Sequence, residues 1–195
     1  MNIQAVIFDL DGTITQPYFD FDAIREEIGI PRNGGAVVEA LEQMSPARRK
    51  RAEEILHYHE QKAIAESRLN PGAKETIDAL RQAGIRVGVL TRNQRDNAVA
   101  VARMHNLDFD TILGREDGPA KPDAFGVLHL CERFSIPPRQ TMLVGDYLFD
   151  LQCARTAGAI AVWLNNNHHN QDFGEHADFS VDNIGEILDI ISLRR

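Results

Sequence analysis

The chain has 195 residues, 43% of them apolar and 26% charged, and carries a formal net charge of −8 at neutral pH. That length allows one domain with a full core, or a core domain with a small insert, and the apolar fraction excludes a disordered chain. The acid excess argues against the basic face of a nucleic-acid binder, and no apolar run reaches the roughly 20 residues that a membrane-spanning helix needs.

The chain begins MNIQAVIFDLD, with no basic segment and an acidic break after a short apolar run. It therefore reads as neither a signal peptide nor a membrane anchor, and the expected location is the cytoplasm. The first predicted element is a strand over residues 3–8, which ends in Asp9, Leu10, Asp11 and Gly12. Residues 20–28 read as a helix with Phe21, Ile24 and Ile28 on one side, and residues 34–44 as a second with Val37, Val38 and Leu41. Ser45-Pro46 supplies an N-cap and a first-turn proline to a long helix toward Arg68, with Ile55, Leu56 and His59 inward and His57 at the surface. The run Arg48, Arg49, Lys50, Arg51 reads as its solvated face.

Pro71-Gly72 opens a helix carrying Ile77 and Leu80, followed by a strand over 87–90 and a helix over 95–105 with Ala98, Val99 and Ala102. A weak strand over 109–113 leads to a helix over 122–134 carrying Phe125, Leu128 and Cys131. A strand over 142–144, a helix over 151–157 stopping at Gly158, and a strand over 160–164 come next. A weak strand over 179–181 precedes a last helix with Asp182 as N-cap and Ile184, Ile187, Leu188 and Ile191 along it. Cys131 and Cys153, in no CxxC spacing, read as two buried thiols of a reducing compartment. His168 and His169 read as a polar loop, because adjacent side chains rarely converge on one metal.

Strand and helix in alternation predict an α/β fold, a Rossmann-like and mainly parallel sheet with helices on both faces. One gap breaks the rhythm: between the first strand and Val87 lie several times the dozen residues a crossover needs. The expected organisation is a core domain of residues 1–15 and 70–195 and an all-helical insert of residues 16–69.

In open parallel sheets, ligands bind beyond the carboxyl ends of the strands. Asp9 and Asp11 fall there on the first strand, Thr91 with Arg92 and Asn93 on the second, and Asp146 after MLVG, with Asp150 at the start of the following helix. Lys121-Pro122 stands at a loop-to-helix junction on the same edge. Oxygen ligands without His or Cys suit Mg²⁺ completed by a substrate phosphate, and a lysine, a hydroxyl and strand-end N–H groups would hold phosphoryl oxygens. No serine or cysteine stands beside a histidine at these strand ends, so the nucleophile is an aspartate. The set reads as phosphoryl transfer through an aspartyl phosphate.

DLDGT at Asp9 to Thr13, Leu90-Thr91, Lys121-Pro122-Asp123 and GDYLFD at Gly145 to Asp150 resemble, in order and spacing, the four motifs of the haloacid dehalogenase superfamily. The insert resembles that superfamily's small helical cap, as in phosphoglycolate phosphatases and β-phosphoglucomutases. The resemblance implies that Asp9 attacks phosphorus and that Asp11 protonates the leaving alcohol and then activates water. It implies Mg²⁺ on Asp9, the Asp11 main-chain carbonyl and Asp146, with Asp150 acting through water or by orienting Lys121. Thr91 and Lys121, with the neighbouring Arg92 and Asn93, would hold the phosphoryl group, and the first strand would lie at the centre of the sheet. The implied substrate is a small phosphorylated metabolite.

Tyr147, where the family often has a small residue, and Gln16-Pro17, where an acid or serine is common, depart from the pattern at the border of the cleft. A 2-haloacid dehalogenase shares fold and nucleophile, but resembles sequences lacking the second aspartate; Asp11 and Asp146 speak against it. A receiver-like phosphoacceptor module is shorter and lacks a cap. A phosphosugar mutase, which needs the same core, remains the alternative to a hydrolase. The specific ester and the oligomeric state stay open.

Overall fold

The computed structural model describes residues 2–32, 34–166 and 171–192; His168 and His169 lie outside them. Six strands form one sheet: β1 (Ala5–Phe8), β2 (Arg86–Leu90), β3 (Thr111–Leu113), β4 (Thr141–Gly145), β5 (Ile160–Leu164) and β6 (Phe179–Val181). Every pairing is parallel and the order is β3-β2-β1-β4-β5-β6. β1 reads AVIF with no polar alternation and is buried along its whole length, as a strand covered on both faces must be. Phe8 is level with Val89 of β2 and Val144 of β4, so the residues that leave these three strands leave at one height. The chain order reverses at β1, and that reversal opens a crevice at the carboxyl ends. The α/β, Rossmann-like class expected from the alternation of elements is the one observed.

By packing, the chain divides into two compact units, Met1–Pro17 with Arg68–Arg195, and Tyr18–Ser67. The second unit contains α1 (Phe21–Glu27), α2 (Val37–Glu42) and α3 (Pro46–Ala65). Asp20 caps α1 by accepting the N–H of Ala23 at 3.0 Å. Ile24, Ile28, Val37, Leu41, Ala52 and Leu56 form the core of this unit. Phe21, expected inward, is 48% exposed and stacks on Phe19 instead. The buried stripe of α3 is Ala52, Leu56, Glu60 and Ala63. His59, expected within that core, is half-buried and shares a hydrogen bond with Glu27 at 3.1 Å. Arg48 to Arg51 are exposed, as expected of a solvated face.

The crossovers of the sheet unit use α4 (Ala73–Gln82), α5 (Arg95–Met104), α6 (Phe125–Phe134) and α7 (Leu148–Ala157), and α8 (Ile187–Ile190) follows β6. Ile7 and Leu143 of the sheet pack with Val127 and Leu130 of α6 and Leu151, Cys153 and Ala154 of α7. Both cysteines are free and buried. In the sheet unit three helix starts differ from expectation, each for a local reason. α6 begins at Phe125 and not at Pro122, because the Asp123 carboxylate accepts the Phe125 N–H at 2.8 Å; its buried residues are Gly126, Val127, Leu130 and Cys131, with Leu128 outside. α7 starts earlier, at Leu148, where the Asp150 carboxylate accepts the Tyr147 N–H at 3.2 Å. After β6, Asn183 and not Asp182 is the cap: it accepts the Gly185 N–H and starts a 3-10 turn ahead of α8. No helix among the described residues is long and apolar enough to cross a membrane.

Candidate active site

Beyond β1 the ladder runs on for one bond, the Asp9 N–H donating to the Val144 carbonyl at 2.9 Å, and the chain then folds into a tight turn. The Leu10 carbonyl accepts the N–H groups of Thr13, Ile14 and Thr15 at 3.3, 3.0 and 2.9 Å. Gly12 stands at φ +90°, where a side chain is strained, and a Cβ added there would lie 2.3 Å from Asp146 Oδ2. Only glycine lets the turn lie against that carboxylate. The Thr13 hydroxyl donates to Asp146 Oδ1 at 3.2 Å, and the Trp163 indole donates to the Asp146 carbonyl at 3.2 Å.

The acid set gathers around this turn. Carboxylate oxygens of Asp9, Asp146 and Asp150 all lie within 4.8 Å of one another, and all three residues are buried. Lys121 Nζ reaches Asp9 Oδ1 at 2.5 Å and Asp150 Oδ1 at 2.6 Å from a position that is itself buried. Asp150 sits in the first turn of α7, where the helix dipole favours a negative charge, and Gly145 leaves it room, since a Cβ there would come within 2.1 Å of the Asp150 carboxyl carbon.

One ammonium among three buried carboxylates leaves a deficit of positive charge. Burial lifts Asp9 well above the ordinary carboxylate range; Lys121 opposes the rise, while Asp150, Asp146 and Asp11 add to it. Burial raises Asp150 as well, with Lys121 pulling the other way. For Lys121 burial is the largest single influence and works to lower it. The fields of Asp150 and Asp9, with the hydrogen bonds to both, outweigh it and hold the ammonium above its usual value. Lys121 is therefore charged at neutral pH. An all-oxygen donor set, buried and short of cations, fits a hard dication such as Mg²⁺.

The second strand contributes a separate network. Thr91 is buried, and its hydroxyl accepts the Asn93 N–H at 3.0 Å. Asn93 Nδ2 donates to Asp11 Oδ2 at 3.2 Å, while Asn93 Oδ1 accepts from the Gln94 N–H and Asn97 Nδ2, both at 2.8 Å. The Asp11 carboxylate thus faces Asn93 and is not one of the three that cluster. Arg92 donates to the main-chain carbonyl of Lys121, and its guanidinium stands 5.0 Å from the centre of the Phe149 ring, a cation–π distance. Tyr147, flagged in the sequence as a departure, is 38% exposed and meets Phe149 and Phe173 edge-on.

Three contributors escape the motif spacing. Thr13 appears in it only as the end of DLDGT, Trp163 only as a strand residue, and Asn70 only as the neighbour of a turn-forming Pro71-Gly72. Asn70 donates from its amide nitrogen to the carbonyls of Gly12, Thr13 and Thr15. A polar residue before Pro-Gly reads as turn chemistry, and nothing local reveals partners so distant in the chain.

The haloacid dehalogenase-like hydrolase family pattern matches residues 3–158. The chain belongs to that family. It is 30% identical to a haloacid dehalogenase-like hydrolase domain-containing protein of Arabidopsis thaliana, over 97% of this chain and 84% of the relative. It is 27% identical to a phosphoglycolate phosphatase of Vibrio vulnificus, over 97% of this chain and 96% of that one. Among solved structures, a hydrolase from Pseudomonas syringae superposes with a TM-score of 0.81 at 22% identity, covering 97% of this chain and 98% of that one. A predicted phosphoglycolate phosphatase from Haemophilus somnus superposes with a TM-score of 0.78 at 24% identity, covering 97% and 98%. The resemblance carried by the four motifs is therefore borne out at the level of family and fold, and the chain is a haloacid dehalogenase-like hydrolase.

Proposed function

We propose that this hydrolase is a Mg²⁺-dependent phosphatase of small phosphate esters that works through an aspartyl phosphate on Asp9. The observation that carries the reading is the buried trio Asp9, Asp146 and Asp150, with Lys121 bridging Asp9 and Asp150 and with Thr91 at the neighbouring strand end. The phosphoglycolate phosphatase relatives, aligned over almost the whole chain, support a phosphoric ester as substrate. Asp9, Asp146 and the main-chain carbonyl of Asp11 would hold the ion, with Asp150 close by. When bound, Mg²⁺ supplies the positive charge that keeps Asp9 ionised and offsets its repulsion of a phosphate dianion.

Asp9 Oδ attacks phosphorus as the bond to the leaving oxygen breaks, and the Asp11 carboxyl gives that oxygen its proton. Asp11, now a carboxylate, takes a proton from water, whose oxygen attacks the phosphoaspartate and releases inorganic phosphate with Asp9 restored. The hydrogen bond from Asn93 orients Asp11 for this exchange. Lys121 and the Thr91 hydroxyl stabilise charge on the transferring phosphoryl oxygens. The helical unit Tyr18–Ser67 is inserted in the chain directly after the acid turn, where the superfamily carries the small helical cap to which ester selection is assigned.

The test is hydrolysis of p-nitrophenyl phosphate and of a panel of small phosphometabolites with Mg²⁺. Asp9→Asn should fall to background while the protein stays folded, and near-normal turnover would sink the assignment. Asp11→Asn should lose about 10² to 10⁴ in rate on alkyl esters, and less in the first half-reaction on an aryl ester, whose leaving group needs no proton. Full activity in excess EDTA, with halide release from 2-haloacids, would favour dehalogenation instead.

A further inference from the structure

We propose that Asn70 is a positioning residue for the acid turn, holding residues 12–15 in the shape on which Asp11 and Asp146 depend; this role rests on the phosphatase reading above. Its side chain and main chain together serve four successive carbonyls. Nδ2 donates to the oxygens of Gly12 at 3.0 Å, Thr13 at 2.7 Å and Thr15 at 3.2 Å, and the Asn70 main-chain N–H donates to Ile14 at 2.9 Å. An amide oxygen could not face three carbonyl oxygens, so the NH₂ group has to point there. All four of these residues are buried, as is Asn70 itself, and water is not at hand to replace the donor. Asn166 adds a second amide to the Gly12 oxygen.

The turn so held is the one that carries the chemistry. Gly12 lies against the Asp146 carboxylate, Thr13 donates to it, and Asp11 is the residue just upstream. Asn70 itself stands where the chain re-enters the sheet unit after residue 67. That returning segment is laced to the outgoing one by an antiparallel bridge between Thr15 and Leu69 and by the Gln16 N–H to the Arg68 carbonyl at 2.8 Å. Without the carboxamide, the Thr13 and Thr15 carbonyls lose its donor, Gly12 keeps only that of Asn166, and the turn relaxes, carrying Asp11 and the Thr13 hydroxyl with it. Asn70→Asp is the sharpest change: the shape is kept, but an oxygen replaces the nitrogen opposite three oxygens.

The experiment measures kcat and KM on p-nitrophenyl phosphate with Mg²⁺, melting curves, and Mn²⁺ affinity read from the single tryptophan, Trp163, whose indole touches the Asp146 carbonyl. Asn70→Ala should lower kcat by about 10- to 100-fold with KM nearly unchanged, and weaken Mn²⁺ by about 10-fold. Asn70→Ser, which keeps one donor, should lie between it and the wild type, and Asn70→Asp should fall lowest. A purely structural role would lower the melting temperature while leaving kcat of the folded variant within about twofold of wild type, and that result overturns the proposal. If Asn70→Ala melts below the assay temperature, Asn70→Ser at low temperature carries the same criterion. If the wild type hydrolyses no phosphate ester, the phosphatase reading falls, and the Mn²⁺ titration alone decides: equal affinity in the folded Asn70→Ala and the wild type overturns the role of Asn70.

Discussion

The two ends of the sheet carry ionic clusters built on opposite terms. At the carboxyl end three carboxylates lie buried together, Lys121 pairs with two of them, Asp9 and Asp150, and burial drives both of those upward. At the amino end, ahead of β3, Asp110 accepts Arg81 at 2.9 Å, Arg86 at 2.7 Å and the Val87 N–H at 2.8 Å, and Asp108 pairs with Arg81 at 2.7 Å. Burial alone would raise Asp110, but the Val87 N–H and the two guanidiniums together hold it below the ordinary carboxylate range. The balanced cluster is complete as it stands and ties β3 to α4 and β2. The unbalanced one is short of positive charge, and under the proposed reading a further cation would complete it.

The largest expected effect breaks the unbalanced cluster. Lys121→Ala leaves Asp9 and Asp150 facing each other without their ammonium, and losing one member of a buried pair costs about 3 to 5 kcal/mol. The metal-free variant should melt about 10 °C lower, and Asp150→Asn added to it should recover part of the loss. A variant melting beside the wild type in differential scanning calorimetry would show that the charges of this cluster are already relieved.

Next in size is the response to the ion. Mg²⁺ at a hundred times its dissociation constant should stabilise the wild type by about 2.7 kcal/mol, a rise of several degrees in the melt. Asp146→Asn should lose that rise, and Asp110→Asn should keep it in full. A shift surviving in the first variant, or vanishing in the second, would exchange the roles of the two clusters.

The smallest effect belongs to the balanced end. Asp110→Asn should cost about 1 kcal/mol at neutral pH, because the pairs are partly open to solvent. The Asp110 carboxylate is depressed in the folded state, so its contribution is fully present above the unfolded value of about 3.9 and fades as pH falls through the lower folded value. The difference in urea midpoint between wild type and variant should hold steady from about pH 5 to pH 8 and close in stronger acid. A gap that widens in acid would mean that Asp110 is not held as its carboxylate.

Asp9, Asp11 and Asp146 are legible in the sequence because they follow short apolar runs, and chain order alone puts such positions on one edge of a parallel sheet. Helix phase is harder to read. In α6 an i, i+3 pattern through Phe125, Leu128 and Cys131 looks like a face, yet Leu128 points away, and Gly126 is buried because a Cβ there would come within 2.4 Å of Leu90. The Pro122 signal for a helix start is overridden by the side chain of Asp123, which accepts the Phe125 N–H two residues further on. Phe21 and His59 fail for a related reason: in a unit of three short-connected helices, an aromatic at the right spacing still needs a facing partner to be drawn inward. Arg92, read beside Thr91 as a phosphoryl contact, is seen bonded to the Lys121 main chain and stacked on Phe149. Long-range polar contacts of this kind, like the four carbonyls of Asn70, leave no periodic trace.

The central place of β1 bears on how the chain is made. Val6 lies between Val87 and Met142, so this strand, once synthesised, waits for one partner that comes after the helical unit and α4 and for a second that comes two crossovers later. During that wait AVIF is an unpaired apolar segment of high strand propensity, the kind that pairs with other chains. Asp9 and Asp11 end it, and in the unfolded chain both are solvated and charged. Charges flanking such a segment act as gatekeepers against intermolecular pairing. Asp9, costly to bury in the finished sheet, and its partly exposed neighbour Asp11 thus protect the strand before the sheet exists, so neutralising both should lower the yield of soluble protein as well as the activity.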